Sequence, residues 1–157
     1  MTAPPEHDVR SPSLKEGSMN DPSPPTHSIT LSTSVNDSVI TITGDGAWTL
    51  HPGAPVTEFQ FTLDDTSSAN VQFDSLDAAD NMSTCPPVGS GNQSTQIDHV
   101  VMTNNGPNKS ARFNDNNSNP ASNGPMNVSY QWNFRCDPGH RVMPFDPIIS
   151  NGGRLSK

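Results

Sequence analysis

The chain has 157 residues, a formal net charge of −8 and only 30% hydrophobic residues, which suits one domain with a small core. No Lys or Arg occurs between Lys15 and Lys109, while eleven acids fall in that interval. The clustered cations that bind nucleic acid or an anionic membrane are therefore missing, and neither is expected as a partner. No window approaches the roughly 20 apolar residues of a membrane span. The N-terminus has no charged start followed by an apolar core, so the expected location is cytoplasmic.

Residues 1–27 carry Pro4, Pro5, Pro12, Pro22, Pro24 and Pro25 against only Val9, Leu14 and Met19 as sizeable apolar side chains. Ordering backbone costs about 1 to 2 kcal/mol per residue, and such a segment cannot offset that by burial. It is expected to be a disordered tail, with the folded domain spanning 28–157. From Ser28 onward apolar residues recur with a period of two: Ile29 and Leu31, Ile40 and Ile42, then Phe59, Phe61 and Leu63. The pattern resumes at Ile97, His99 and Val101, continues with Ala111 and Phe113, and is longest in Val128, Tyr130, Trp132, Phe134 and Cys136. Such alternation sets one face of each strand on a core and the other in water. Between the runs lie "GDG" (44–46), "HPGAP" (51–55), "NNGPN" (104–108), "NDNNSNPASNGP" (114–125) and "DPG" (137–139), all rich in residues that suit turns. The expected fold is all-β, an antiparallel β-sandwich of about seven to eight strands of immunoglobulin-like type.

One stretch, "FDSLDAADN" at 73–81, reads as a single helical turn capped by Asp74. Asp64, Asp65, Asp74, Asp77 and Asp80 lack the every-second-residue ladder of a calcium loop and are expected to form a solvated acidic rim. Trp48, after "GDG", is expected to be half-buried. Asn-x-Ser/Thr sequons, among them those at Asn36, Asn81, Asn92, Asn108 and Asn127, carry no weight without secretion. Cys85 and Cys136, the only cysteines, allow one disulfide at most, and without an export signal both are expected to be reduced. A thiol–imidazole pair of Cys85 with His99 or His140 lacks any group to position it. No G-x-S-x-G elbow is present, so no catalytic residue is assigned.

The stretch "CDPGHRVM" (136–143) puts a thiol, an imidazole and a thioether close together. Cys136, His140 and Met143, with His99 as an upstream donor, are the residue types of a type 1 copper site. The loop resembles that of the cupredoxins, which implies a copper-binding, electron-transfer protein. Val100 departs from the Asn that usually follows the upstream His in that family, and "PFDP" departs from its regular final strand. The simpler reading is a hairpin: strand 127–136 ends at Cys136, Asp137-Pro138-Gly139 turns, and Arg141 to Ser150 returns. The ending "FDPIISNGG" (145–153), with "FTLDDT" (61–66), "QIDHVV" (96–101) and "YQW" (130–132), resembles the DP-EP family of small bacterial proteins. That resemblance implies a compact β-sandwich and brings no activity, cofactor or ligand. The leading expectation is a non-enzymatic acidic domain that binds another protein through a sheet face or edge, with no metal or cofactor. The copper protein is the alternative.

Overall fold

The computed structural model describes residues 23–156. Ten strands run in the order β1 (Thr26–Asn36), β2 (Val39–Thr43), β3 (Trp48–Leu50), β4 (Thr57–Asp64), β5 (Gln72–Asp80), β6 (Ile97–Thr103), β7 (Lys109–Asp115), β8 (Met126–Arg135), β9 (Arg141–Val142) and β10 (Ile148–Asn151). They form a curled six-stranded sheet, β6-β7-β4-β1-β2-β9, and a four-stranded sheet, β3-β10-β8-β5. The all-β expectation holds. β1 begins at Thr26, inside the stretch expected to be a tail, and the rest of that expectation, over 1–22, falls outside the described residues.

The alternation acts as expected in the first sheet. Ile29, Leu31 and Thr33 of β1 and Phe59, Phe61 and Leu63 of β4 point inward, whereas Thr30, Ser32, Gln60 and Thr62 stay exposed. A two-residue turn at Asp37 and Ser38, both with positive φ, joins β1 to β2, which matches the twist of the antiparallel pair. The sheets are not purely antiparallel, however: β1–β4, β2–β9 and β3–β10 are parallel pairs. Parallel neighbours need long crossover connections. Here the chain leaves β1 through β2, crosses to the other sheet as β3, and returns as β4 beside β1.

The stretch 73–81 is strand, not helix. Most of it lies in β5, antiparallel to β8, with a bulge between Phe73 and Ser75 that breaks the alternation. The returning chain after Gly139, whose φ is +94°, is broken in the region of Pro144 and Pro147, as expected, but its two pieces join different sheets. Pro144 and Pro147 donate no N–H, so β9 joins the first sheet and β10 the second. Between them, Trp132 and Phe145 exchange backbone hydrogen bonds of 2.9 and 3.0 Å.

The sheets meet over one aromatic core. Phe61 of β4 packs edge-on against Trp132 (5.6 Å between centroids) and Tyr130 (5.9 Å), and Phe73 of β5 meets Trp132 at 5.4 Å. Edge-to-face pairs of this kind contribute about 0.5–1.5 kcal/mol each beyond their buried area. The Tyr130 hydroxyl donates to the Gly46 carbonyl at 2.8 Å. A side chain at Gly46 would collide with the Phe145 ring and that hydroxyl, so this glycine of "GDG" provides room for packing.

β8 is enclosed on both faces. Ser129, Gln131 and Asn133, expected to face water, are buried beneath the connection 81–96. Asp77 also departs from the expected acidic rim. It is fully buried and accepts N–H bonds from Gly89 (2.8 Å) and Gly91 (2.6 Å) and an amide bond from Asn133 (2.7 Å). Without Asp77 the covering loop would leave unpaired N–H groups against a polar sheet face. Asp77→Ala is expected to destabilise the protein by about 3 kcal/mol in urea unfolding and to speed hydrogen exchange at the Gly89 and Gly91 amides. Unchanged exchange at both amides would contradict this role.

Candidate functional site

The structure does not bring together the side chains expected to matter as copper ligands. Cys136 follows β8 in the four-stranded sheet, and its thiol donates to the His140 carbonyl at 3.3 Å. His99 lies on β6, the outer strand of the other sheet, mostly exposed and 2.6 Å from Asp98. His140 and Met143 flank β9 at the opposite border of that sheet and are exposed. Among the described residues no three His, Cys, Asp or Glu side chains gather as a metal-binding group. Both cysteines are free. Cys85 is exposed and donates its thiol to Asp146; this contact, with burial and the carboxylate's charge, raises the thiol pKa above its ordinary value. Trp48, expected to be half-buried, is instead exposed at 41% and lies outside the core, packed against His27 with 3.7 Å between centroids.

Two polar clusters are built deep into the fold instead. The first surrounds Lys109 at the start of β7. Its ammonium donates to the Val71 carbonyl (2.5 Å) and to Asn70 Oδ1 (3.0 Å), and it stands 3.5 Å from Asp65. Asp65 also accepts from the Ser67 and Val71 amides at 3.0 and 2.8 Å and from the Ser67 hydroxyl. Burial would raise its pKa, but these donors and the Lys109 charge outweigh that and hold it below the ordinary value of 3.8.

The second cluster continues the inward face of β7 beyond the strand. Lys109, Ala111, Phe113, Asp115, Asn117 and Asn119 are all buried, so the period of two runs on after the apolar residues end. Asp115 Oδ1 accepts from the Asn117 amide (2.8 Å) and from Asn151 Nδ2 (2.7 Å). Asn117 is wholly engaged: its Nδ2 reaches the carbonyls of His51 and Ala54, both at 3.2 Å, and its Oδ1 accepts from the Gly153 amide at 2.7 Å. Gly153, at φ +85°, packs against the Asn119 backbone with no room for a side chain. Burial raises the Asp115 pKa to about 6; the Asn117 and Asn151 donors oppose the rise, and Asp80 and Asp98 add to it. The pattern Asp115-x-Asn117-x-Asn119 stood in the sequence as part of a presumed turn. Every position from 114 to 119 is polar, so the sequence carried no alternation to mark the buried ones.

The exposed surface offers one further feature. β6 is an outer strand of the six-stranded sheet, and Val101 and Met102 on it are 42% and 37% exposed. A cleft of about 220 Å³ lies on the Val101 side, lined by Gln60, Val101, Thr103, Ser110, Ala111 and Arg112. The pairing of β6 with β7 is interrupted between Asp98 and Val101, with His99 at φ +50°, and resumes over Val101–Thr103. No protein-family model matches the chain, and no curated protein matches it.

The Asp65–Lys109 pair sets a pH dependence. Because the folded pKa of Asp65 lies below the unfolded one, its contribution is present above about 3.8 and is lost as pH falls below that value. Asp65→Asn leaves a nearly buried ammonium without its counter-ion and is expected to cost about 3 to 5 kcal/mol at pH 7. Urea unfolding over pH 2.5–7 checks both parts, since the variant should lose less stability than the wild type between pH 4 and 2.5. An equal acid loss in both proteins would refute the assignment.

Proposed function

We propose that the chain is a non-enzymatic, immunoglobulin-like β-sandwich that binds another protein through the free edge of its six-stranded sheet at β6. The observation that carries this reading is the outer strand β6, which exposes Val101 toward the 220 Å³ cleft and Met102 on its other face. An outer strand presents unpaired N–H and C=O groups that an extended segment of a partner can extend as a further strand. The interruption at His99 confines that opportunity to Val101–Thr103. Arg112 on the cleft wall supplies one fixed charge for orientation, and its guanidinium is already directed by Glu58 at 3.2 Å. The sandwich reading is supported by the shared aromatic core of the two sheets. What supports a non-catalytic role is that His99, on β6, lies at the opposite border of the sheet from β9, beside which His140 and Cys136 sit.

The test is to isolate a binding partner from the native cell, purify it, and measure its affinity for the wild type by calorimetry. The double variant Val101→Lys and Met102→Lys should weaken binding at least tenfold, in keeping with loss of two central apolar contacts. Val35→Lys, on exposed Val35 of β1, should leave binding unchanged. Equal affinity of the wild type and the β6 variant would remove the edge as the binding surface.

A further inference from the structure

Asp115, Asn119 and Asn151 present an unusual coincidence. Asp115 Oδ2, Asn119 Oδ1 and Asn151 Oδ1 are three buried acceptor atoms with no hydrogen-bond donor, and they belong to one network. Asn151 Nδ2 bonds the other oxygen of Asp115 at 2.7 Å, and Asn119 Nδ2 reaches the Asn151 carbonyl at 3.4 Å. Asp115 and Asn151 are fully buried and Asn119 is 3% exposed. No Lys, Arg or His side chain among the described residues pairs with Asp115. A buried acceptor without a donor costs about 1 to 3 kcal/mol, and an uncompensated buried carboxylate costs more. Three such atoms in one network call for a partner, which a proton, a water or a cation can supply. All three are hard oxygen donors, one a carboxylate and two amide carbonyls, which is the ligand chemistry of calcium-class cations.

We propose that Asp115, Asn119 and Asn151 form a buried site for a calcium-class cation. The site stands apart from the β6 edge and does not depend on the binding role proposed for it. A cleft of about 140 Å³ lined by His51, Gly124 and Gly152 lies next to the network without reaching its three oxygens: Asn117 bonds the His51 carbonyl, and Gly152 directly follows Asn151. Water or backbone carbonyls complete the six to eight oxygens such a cation takes. The burial that raises the pKa of Asp115 acts on a carboxylate without a cation, and a bound cation would offset it. With one carboxylate the affinity belongs in the weak class, with Kd on the order of 10⁻⁴–10⁻³ M. The ending Ile148-Ile149-Ser150-Asn151-Gly152-Gly153 thereby gains a purpose, since β10 delivers Asn151 to the site and Gly153 locks Asn117 beside it.

The test uses the full chain, stripped with a chelator and titrated with CaCl₂, MgCl₂ or NaCl under calorimetry and thermal unfolding. Calcium at 10 mM should raise Tm by about 5 °C, magnesium should act less, and the heat should fit one site. Asp115→Asn keeps the shape and supplies an N–H toward the orphaned oxygens; it should fold and lose the calcium response at least tenfold. Asn119→Asp adds a second carboxylate and should tighten calcium at least tenfold. Absence of any cation effect on the wild type would mean that a proton or a water serves these oxygens, and it would overturn the proposal. An equal calcium response in Asp115→Asn, or no tightening in Asn119→Asp, would overturn it too.

Discussion

Enclosure of β8 on both faces is the constraint on which the rest of the structure depends. On one face Val128, Tyr130 and Trp132 enter the aromatic core, where Phe61 of the facing sheet and Phe73 of the adjacent strand hold the indole edge-on. On the other face Ser129, Gln131 and Asn133 lie under the connection 81–96. A strand buried on an apolar side needs only packing, whereas a strand buried on a polar side needs every group paired. Asp77 meets that need by accepting from the loop amides and the β8 amides together. With β8 fixed, β5 registers on one side and β10 on the other, and β10 carries Asn151 to the end of β7.

Alternation of apolar residues made β1, β2, β4 and β8 legible in the sequence, because each has a run of inward apolar side chains long enough to show its period. It says which face a residue takes but not which strand lies beside it. The three parallel pairs arise from crossovers between the sheets, and no local pattern records them. β5 was hidden for a different reason. Its bulge at Asp74 shifts the period, and its inward partner for the loop is a carboxylate, so the segment looks polar where it is buried. The loop "CDPGHRVM" shows the converse. Its turn was legible through Pro138 and Gly139, while the apparent ligand set was only proximity in sequence, since the upstream His99 sits on β6, at the opposite border of the six-stranded sheet from β9.

The interior acids show how an acidic chain folds with few cations. Lys109 is the first Lys or Arg after Lys15, and it goes to Asp65. Asp77, in the second sheet, has no Lys or Arg partner among the described residues, and it takes glycine amides and an asparagine side chain in place of a cation. Neutral donors satisfy its lone pairs without a second buried charge, whose desolvation would cost several kcal/mol. Asp115 follows the same strategy with Asn117 and Asn151, but there the donors serve one carboxylate oxygen only.

The abundance of Asn and Ser thus has a meaning beyond turns. In composition these residues suggest loops, because each can bond its own backbone. In the fold, Asn117, Asn119, Asn133 and Asn151 are buried, and each bonds a distant part of the chain. Asn is suited to this because its amide both donates and accepts, so one side chain can satisfy a carbonyl and an N–H at once, as Asn117 does between residues 51, 54 and 153. A small β-protein with a 30% hydrophobic composition therefore holds its ends with polar clamps where a larger one would use additional apolar layers.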